Sequence, residues 1–182
     1  MPYSVGVTEQ FEIVDLFTTE ERDFYGPFNS LLFELFPTNE HYQIAPRFKR
    51  LQGSLYFTIQ SIIRCRRVPV FFIEIMTFRS LKELSGRASA DRQMRERYLE
   101  FASATISTPA LYGLSAFGPQ FSVYTYDPAT TNLSPPEIPR DLQRLNDVAP
   151  EDRWAYNLLE PAGEAKLREI VGIVKTMAAV LV

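Results

Sequence analysis

The stretch Val68-Pro69-Val70-Phe71-Phe72-Ile73-Glu74-Ile75-Met76 constrains this chain more than any other. A run apolar at both odd and even positions belongs to a strand covered on both faces, and therefore to the middle of a sheet. Its only charge, Glu74, sits inside the run. Burying a carboxylate there is costly unless it reaches a solvated edge or meets a cation, a metal or a hydrogen-bond donor. What Glu74 meets therefore bears on function as well as on fold.

The residues on either side predict what surrounds this strand. Residues 53–63 alternate Leu55, Phe57 and Ile59 with Tyr56, Thr58 and Gln60, a strand period, and Arg64, Arg66 and Arg67 form a short turn into the apolar run, so the two make a hairpin. From Ser80 to residue 104 the period becomes helical. Leu81, Leu84, Ala88, Tyr98, Leu99 and Ala102 fall on one stripe, with Asp91 and Arg95 in its centre at the i, i+4 spacing of a structural ion pair, and Gln93 on the opposite side. Residues 110–118 and 120–127 predict a second hairpin turning at Gly118-Pro119. Upstream, Thr18-Thr19-Glu20-Glu21 is a helix-start signal, and a helix runs from Pro27 to Phe36, followed by a loop through Pro46. Downstream come a proline-rich loop over 128–151, a short helix at 153–160 and a final helix over about 163–181. The expected fold is α/β (α+β): one domain over residues 1–182, with a mixed central sheet flanked by helices.

Composition narrows the function classes. One cysteine, Cys65, excludes an internal disulfide and favours an intracellular setting, cytoplasmic or nuclear. One histidine, His41, leaves no Cys/His metal cluster and no ready Ser-His-Asp arrangement. Cys65 reads as an inert turn cysteine, and His41 as a surface residue. The most apolar segment, residues 170–182, is too short to span a bilayer and contains Lys175, so no membrane partner is expected; the acidic N-terminus gives no secretory signal. Charge is unevenly spread along the chain. Residues 1–46 carry −7, residues 47–97 carry +8 and residues 98–182 carry −4. The basic block is either a surface that binds phosphates, a protein interface, or a set of charges paired internally.

The helix, the hairpin carrying Glu74 after an apolar run, and the helix crossing to a further strand resemble the core of the PD-(D/E)XK nuclease-like superfamily, over about residues 24–126. Together with "ADRQMRERY" and "LYGLSAFG", the stretch "PVFFIEI" is also similar to uncharacterised proteins of mushroom-forming fungi. The resemblance implies a restriction-endonuclease-like core in which Glu74 holds a divalent metal, Mg or Mn, with an aspartate on the preceding strand and a lysine two residues after the glutamate. Here Met76 occupies the lysine position, and Tyr56, or its neighbours Ser54 and Thr58, the aspartate position.

Such a motif is dismantled, because one carboxylate gives a hard cation only a weak site. The expected protein is a non-catalytic nucleic-acid-binding or protein-interaction module with no cofactor. In it Glu74 is held by an arginine such as Arg95 or Arg87, and Arg64, Arg66, Arg67, Arg87, Arg92 and Arg95 offer charge to a nucleic acid; a protein partner or homodimer is the other candidate. One alternative is an active metal-dependent nuclease with a rearranged site, in which Glu74 and Asp91 are the catalytic and metal-holding carboxylates. Another is a small-molecule enzyme or binder with an aromatic-lined pocket. Tyr112, Tyr124 and Tyr126 either stack on bases or pack the core.

Overall fold

The computed structural model describes residues 3–50, 57–102, 106–139 and 149–181. Within them the chain forms an α+β fold with four α-helices and a seven-stranded mixed sheet. The helices are α1 (Val5–Glu12), α2 (Tyr25–Leu35), α3 (Leu84–Ala102) and α4 (Pro161–Ala178). The strands are β1 (Tyr42–Arg50), β2 (Phe57–Cys65), β3 (Val68–Met76), β4 (Leu111–Phe117), β5 (Gln120–Asp127), β6 (Asn132–Ser134) and β7 (Tyr156–Asn157).

In space the strands follow chain order from β1 to β6, and β7 pairs with β5. Every pairing is antiparallel except β3 with β4, which are parallel because α3 carries the chain back between them. The apolar run is β3, and from Val70 to Met76 every residue is buried. Phe71, Ile73 and Ile75 pack with Phe28 and Leu32 of α2 and with Leu167 and Val174 of α4. Phe72 packs with Met94 and Tyr98 of α3, while Met76 joins Ala90, Phe117 and Trp154. Gly113 on β4 makes this second layer possible, since a Cβ there would lie 2.6 Å from the Phe72 ring and 2.9 Å from the Tyr98 hydroxyl. It serves close packing in mid-strand, not a turn. Gly118, at φ 53°, is the turn glycine.

Both predicted hairpins are present: β2 with β3 turning at Arg66-Arg67, and β4 with β5 turning at Gly118-Pro119. Several expectations need correction. The loop through Pro46 is the edge strand β1, whose register runs from Tyr42↔Cys65 to Arg50↔Phe57. Its proline is tolerated because an edge strand has one unpaired side. The acidic N-terminus contains α1, which buries Val7 and Phe11. The short helix expected at 153–160 is instead a 3-10 turn, Glu151–Trp154, followed by β7. A 3-10 turn over Phe78–Lys82 precedes α3. Part of the predicted first hairpin strand, residues 53–56, and the end of the predicted helix, residues 103–104, lie outside the described residues, as does 140–148 of the proline-rich loop. Among the described residues, no helix is long and apolar enough to cross a membrane.

Candidate functional site

A polar row crosses the middle of the sheet. Glu74 lies opposite Gln60 of β2 on one side and Ser115 of β4 on the other, and Ser115 lies opposite Ser122 of β5. Glu74, Ser115 and Ser122 are all buried, so this alignment keeps their polar atoms together in the core. Glu74 is 0% exposed. Its Oε1 accepts a hydrogen bond from Nε of Arg97, on α3, at 2.5 Å, and Nη1 of Arg97 also donates to both Glu100 oxygens at 3.0 and 2.9 Å. Burial works against the Arg97 charge, but the charges and hydrogen bonds of Glu74 and Glu100 outweigh it and raise the guanidinium pKa. Ser115 Oγ accepts the indole N–H of Trp154 at 3.0 Å.

The partner of Glu74 is therefore Arg97, where the sequence reading expects Arg95 or Arg87. The difference is rotational. The predicted stripe on α3 is turned about a quarter of the way round from the buried one: Leu99 is exposed, while Gln93, expected on the opposite side, is buried along with Arg87, Asp91 and Arg97. Apolar spacing misplaces a helix face in which Ala90, Met94 and Tyr98 share burial with the polar Arg87, Asp91, Gln93 and Arg97.

Asp91 forms a second buried centre, 2% exposed. Arg95 donates to its two oxygens at 3.0 and 3.1 Å, Arg153 at 2.8 Å, the Tyr124 hydroxyl at 2.8 Å and the Ile138 backbone N–H at 3.0 Å. Burial raises the Asp91 pKa, but these hydrogen bonds more than offset it and leave the carboxyl below its ordinary value. The Asp91–Arg95 pair exists at the predicted spacing. Asp91 does not join Glu74, since each has its own set of cations. Tyr124 supports Asp91 from within the core, and its pKa is raised by burial and by the Asp91 charge.

The other predicted residues scatter. Arg87 is buried and donates to the carbonyls of Ala149 and Leu81. Arg92 is exposed on α3 and reaches Ser89 at 3.3 Å. Arg66 and Arg67 are exposed at the β2–β3 turn with φ of 46° and 75°, and Arg64 lies half-buried in the strand before them. Cys65 is a buried free thiol, its pKa raised by burial. His41 is exposed at φ 66°, where the chain turns into β1.

One residue near Glu74 has no signal in the sequence. Glu21, on the 3-10 turn Glu21–Phe24, has its carboxyl pushed up to about 8 by burial and by the charge of Glu74. A folded-state pKa above the unfolded one means that the folded chain holds the proton more tightly. The stability this contributes is complete below the unfolded carboxylate pKa and lost as pH rises toward 8. Glu21→Gln is therefore expected to flatten the stability profile between about pH 5 and 8 and to leave the variant more stable than the parent at pH 8, by up to about 4 kcal/mol. Urea melts at the two pH values check this; a parallel loss in both proteins would show that Glu21 is not the titrating group.

A hard divalent cation needs several converging oxygen ligands. Among the described residues no group of three or more His, Cys, Asp or Glu side chains is placed to hold a metal. At Glu74 a guanidinium takes the place a cation would need, and Met76 is buried among apolar side chains. These residues do not fit the metal of the nuclease-like motif. Comparison with family models, with curated proteins and with solved structures gives no match.

Proposed function

We propose that this chain is a non-catalytic interaction module built on a restriction-endonuclease-like sheet. The observation that carries the reading is the Glu74–Arg97 pair: the carboxylate that matches the metal-holding glutamate of the motif is fully buried and paired with a guanidinium from α3. The Cα register adds a second point. The strand position opposite Glu74 is Gln60, an amide where a metal site would need a carboxylate. With Met76 at the lysine position, the attacking water would also lack its cationic partner. Loss of a single proton-transferring group commonly costs about a hundredfold to ten-thousandfold in rate. No nicking of supercoiled plasmid is expected with Mg²⁺ or Mn²⁺. Metal-dependent nicking that Glu74→Gln abolishes would refute the reading and restore the rearranged nuclease.

A second reading, nucleic-acid binding, is favoured by Arg66 and Arg67, which are exposed side by side at one turn and form no ion pair among the described residues. It would use less of the basic block than composition suggests, because Arg87, Arg95 and Arg97 are engaged within the fold. Titration of labelled DNA and RNA between about 50 and 200 mM salt tests it, since phosphate contacts weaken steeply over that range. Arg66→Glu with Arg67→Glu is expected to remove any such binding. An intracellular setting accompanies either reading, because the single thiol is free and buried.

A further inference from the structure

Large apolar side chains stand exposed along residues 5–17: Val5 at 72%, Ile13 at 81% and Phe17 at 84%, with Leu16 less so. Since α1 buries Val7 and Phe11, helical geometry places Val5, Glu9, Glu12 and Ile13 on its outward side. Glu9, Glu12 and Asp15 are exposed, form no ion pair among the described residues, and have no lysine or arginine between residues 3 and 21 to neutralise them. The loop beyond α1 is tied down. Asp15 Oδ1 accepts the Phe17 N–H at 2.9 Å, the Thr18 hydroxyl donates to Asp23 at 2.5 Å, and the Glu20 N–H donates to Thr18 Oγ1 at 3.1 Å. Phe17 is therefore presented to solvent by an ordered backbone, which lowers the entropy cost of using it as an anchor.

Exposed apolar groups of this size on an ordered surface mark an interaction site. The surrounding charge selects the occupant. Carboxylates interleaved with the apolar groups repel phosphates, whether of nucleic acid or of anionic lipid, and attract cations. We propose that the outward side of α1 and the loop after it dock a basic amphipathic segment of a partner protein, with its apolar side chains on Ile13, Leu16 and Phe17 and its lysines or arginines on Glu9, Glu12 and Asp15. This deepens the interaction reading by naming a face and a partner class, and it rests on that reading.

The probe is a labelled leucine/lysine amphipathic helix of about eighteen residues, compared with its leucine/glutamate counterpart against the full chain. The lysine peptide binds, and more weakly at high salt. Ile13→Ser with Phe17→Ser weakens it by about tenfold or more, as does Glu9→Lys with Glu12→Lys, while the melting temperature is unchanged because all four positions are exposed. The assignment is overturned by any of four results: equal binding of the glutamate peptide, no loss of affinity in the serine variant, flotation with phosphatidylglycerol vesicles that the serine variant loses, or a dimer in sedimentation that the serine variant dissolves. Absence of peptide binding in a protein that also fails to nick plasmid removes this face and leaves the interaction reading standing. Metal-dependent nicking removes that reading whatever the peptide does.

Discussion

Arg97→Ala is expected to lower stability by about 3–5 kcal/mol at neutral pH, because it leaves the Glu74 carboxylate without its guanidinium at 0% exposure. In a chain of this length that corresponds to a fall in melting temperature of roughly 10 °C. The loss has a pH signature. Without Arg97, burial favours the neutral form of Glu74 and raises its pKa, so protonation relieves the penalty as pH falls. The deficit should be smaller at pH 5 than at pH 8. Glu74→Ala is expected to cost less than Arg97→Ala, since Glu100 still accepts from Arg97. Replacing both by leucine should recover most of the loss, because a well-packed apolar pair avoids desolvating two charges. Thermal melts of the two single variants and the double variant measure the coupling. An Arg97→Ala protein as stable as the parent at pH 8 would show that the pair is not what holds Glu74.

These two residues also show where the sequence could be read and where it could not. The apolar run over 68–76 identifies a central strand because continuous burial has one strand-like explanation, and Gly118-Pro119 marks the β4–β5 turn because glycine adopts that φ without strain. Glu74 stands out as a buried carboxylate in need of a cation for the same reason. Its partner could not be found, because Leu84, Ala88 and Leu99 draw the predicted stripe toward a side of α3 that is half-buried at Leu84 and Ala88 and exposed at Leu99, whereas Arg87, Gln93 and Arg97, outside that stripe, are buried as polar side chains. The polar row left a faint trace: Glu74 inside β3, Ser115 inside β4 and Ser122 inside β5, which pairing brings into line. Edge strand β1 left none, since Pro46 and its mixture of polar and apolar residues resemble a loop until β2 pairs with it. Arg153 is a partner of Asp91 more than sixty residues away in sequence, a contact that local spacing cannot anticipate.

That long-range contact sets the second large effect. Asp91 is where α3, β5 and the segment after β6 are joined: Tyr124 and Arg95 reach it from β5 and α3, while the Ile138 N–H and Arg153 bring in the chain on either side of residues 140–148. Arg95 and Arg153 extend the link, donating to the carbonyls of Pro135 and Pro136 at 2.8 and 3.0 Å. Asp91→Ala removes the acceptor for four separate donors and leaves two guanidinium groups close together without their shared anion. The expected cost is about 3–4 kcal/mol. Because the folded-state pKa of Asp91 is depressed, its contribution is complete above the unfolded value and is lost as pH falls through the folded one. The difference between parent and Asp91→Ala should therefore be constant near neutrality and shrink only below about pH 4. Hydrogen exchange locates the effect. The Ile138 amide should lose protection before amides of β3 and β4, since it is bonded to the carboxylate itself while those strands keep their ladder. If Asp91→Ala instead opens all of these amides together, the junction is part of the cooperative core and not a separate clasp on the segment it binds.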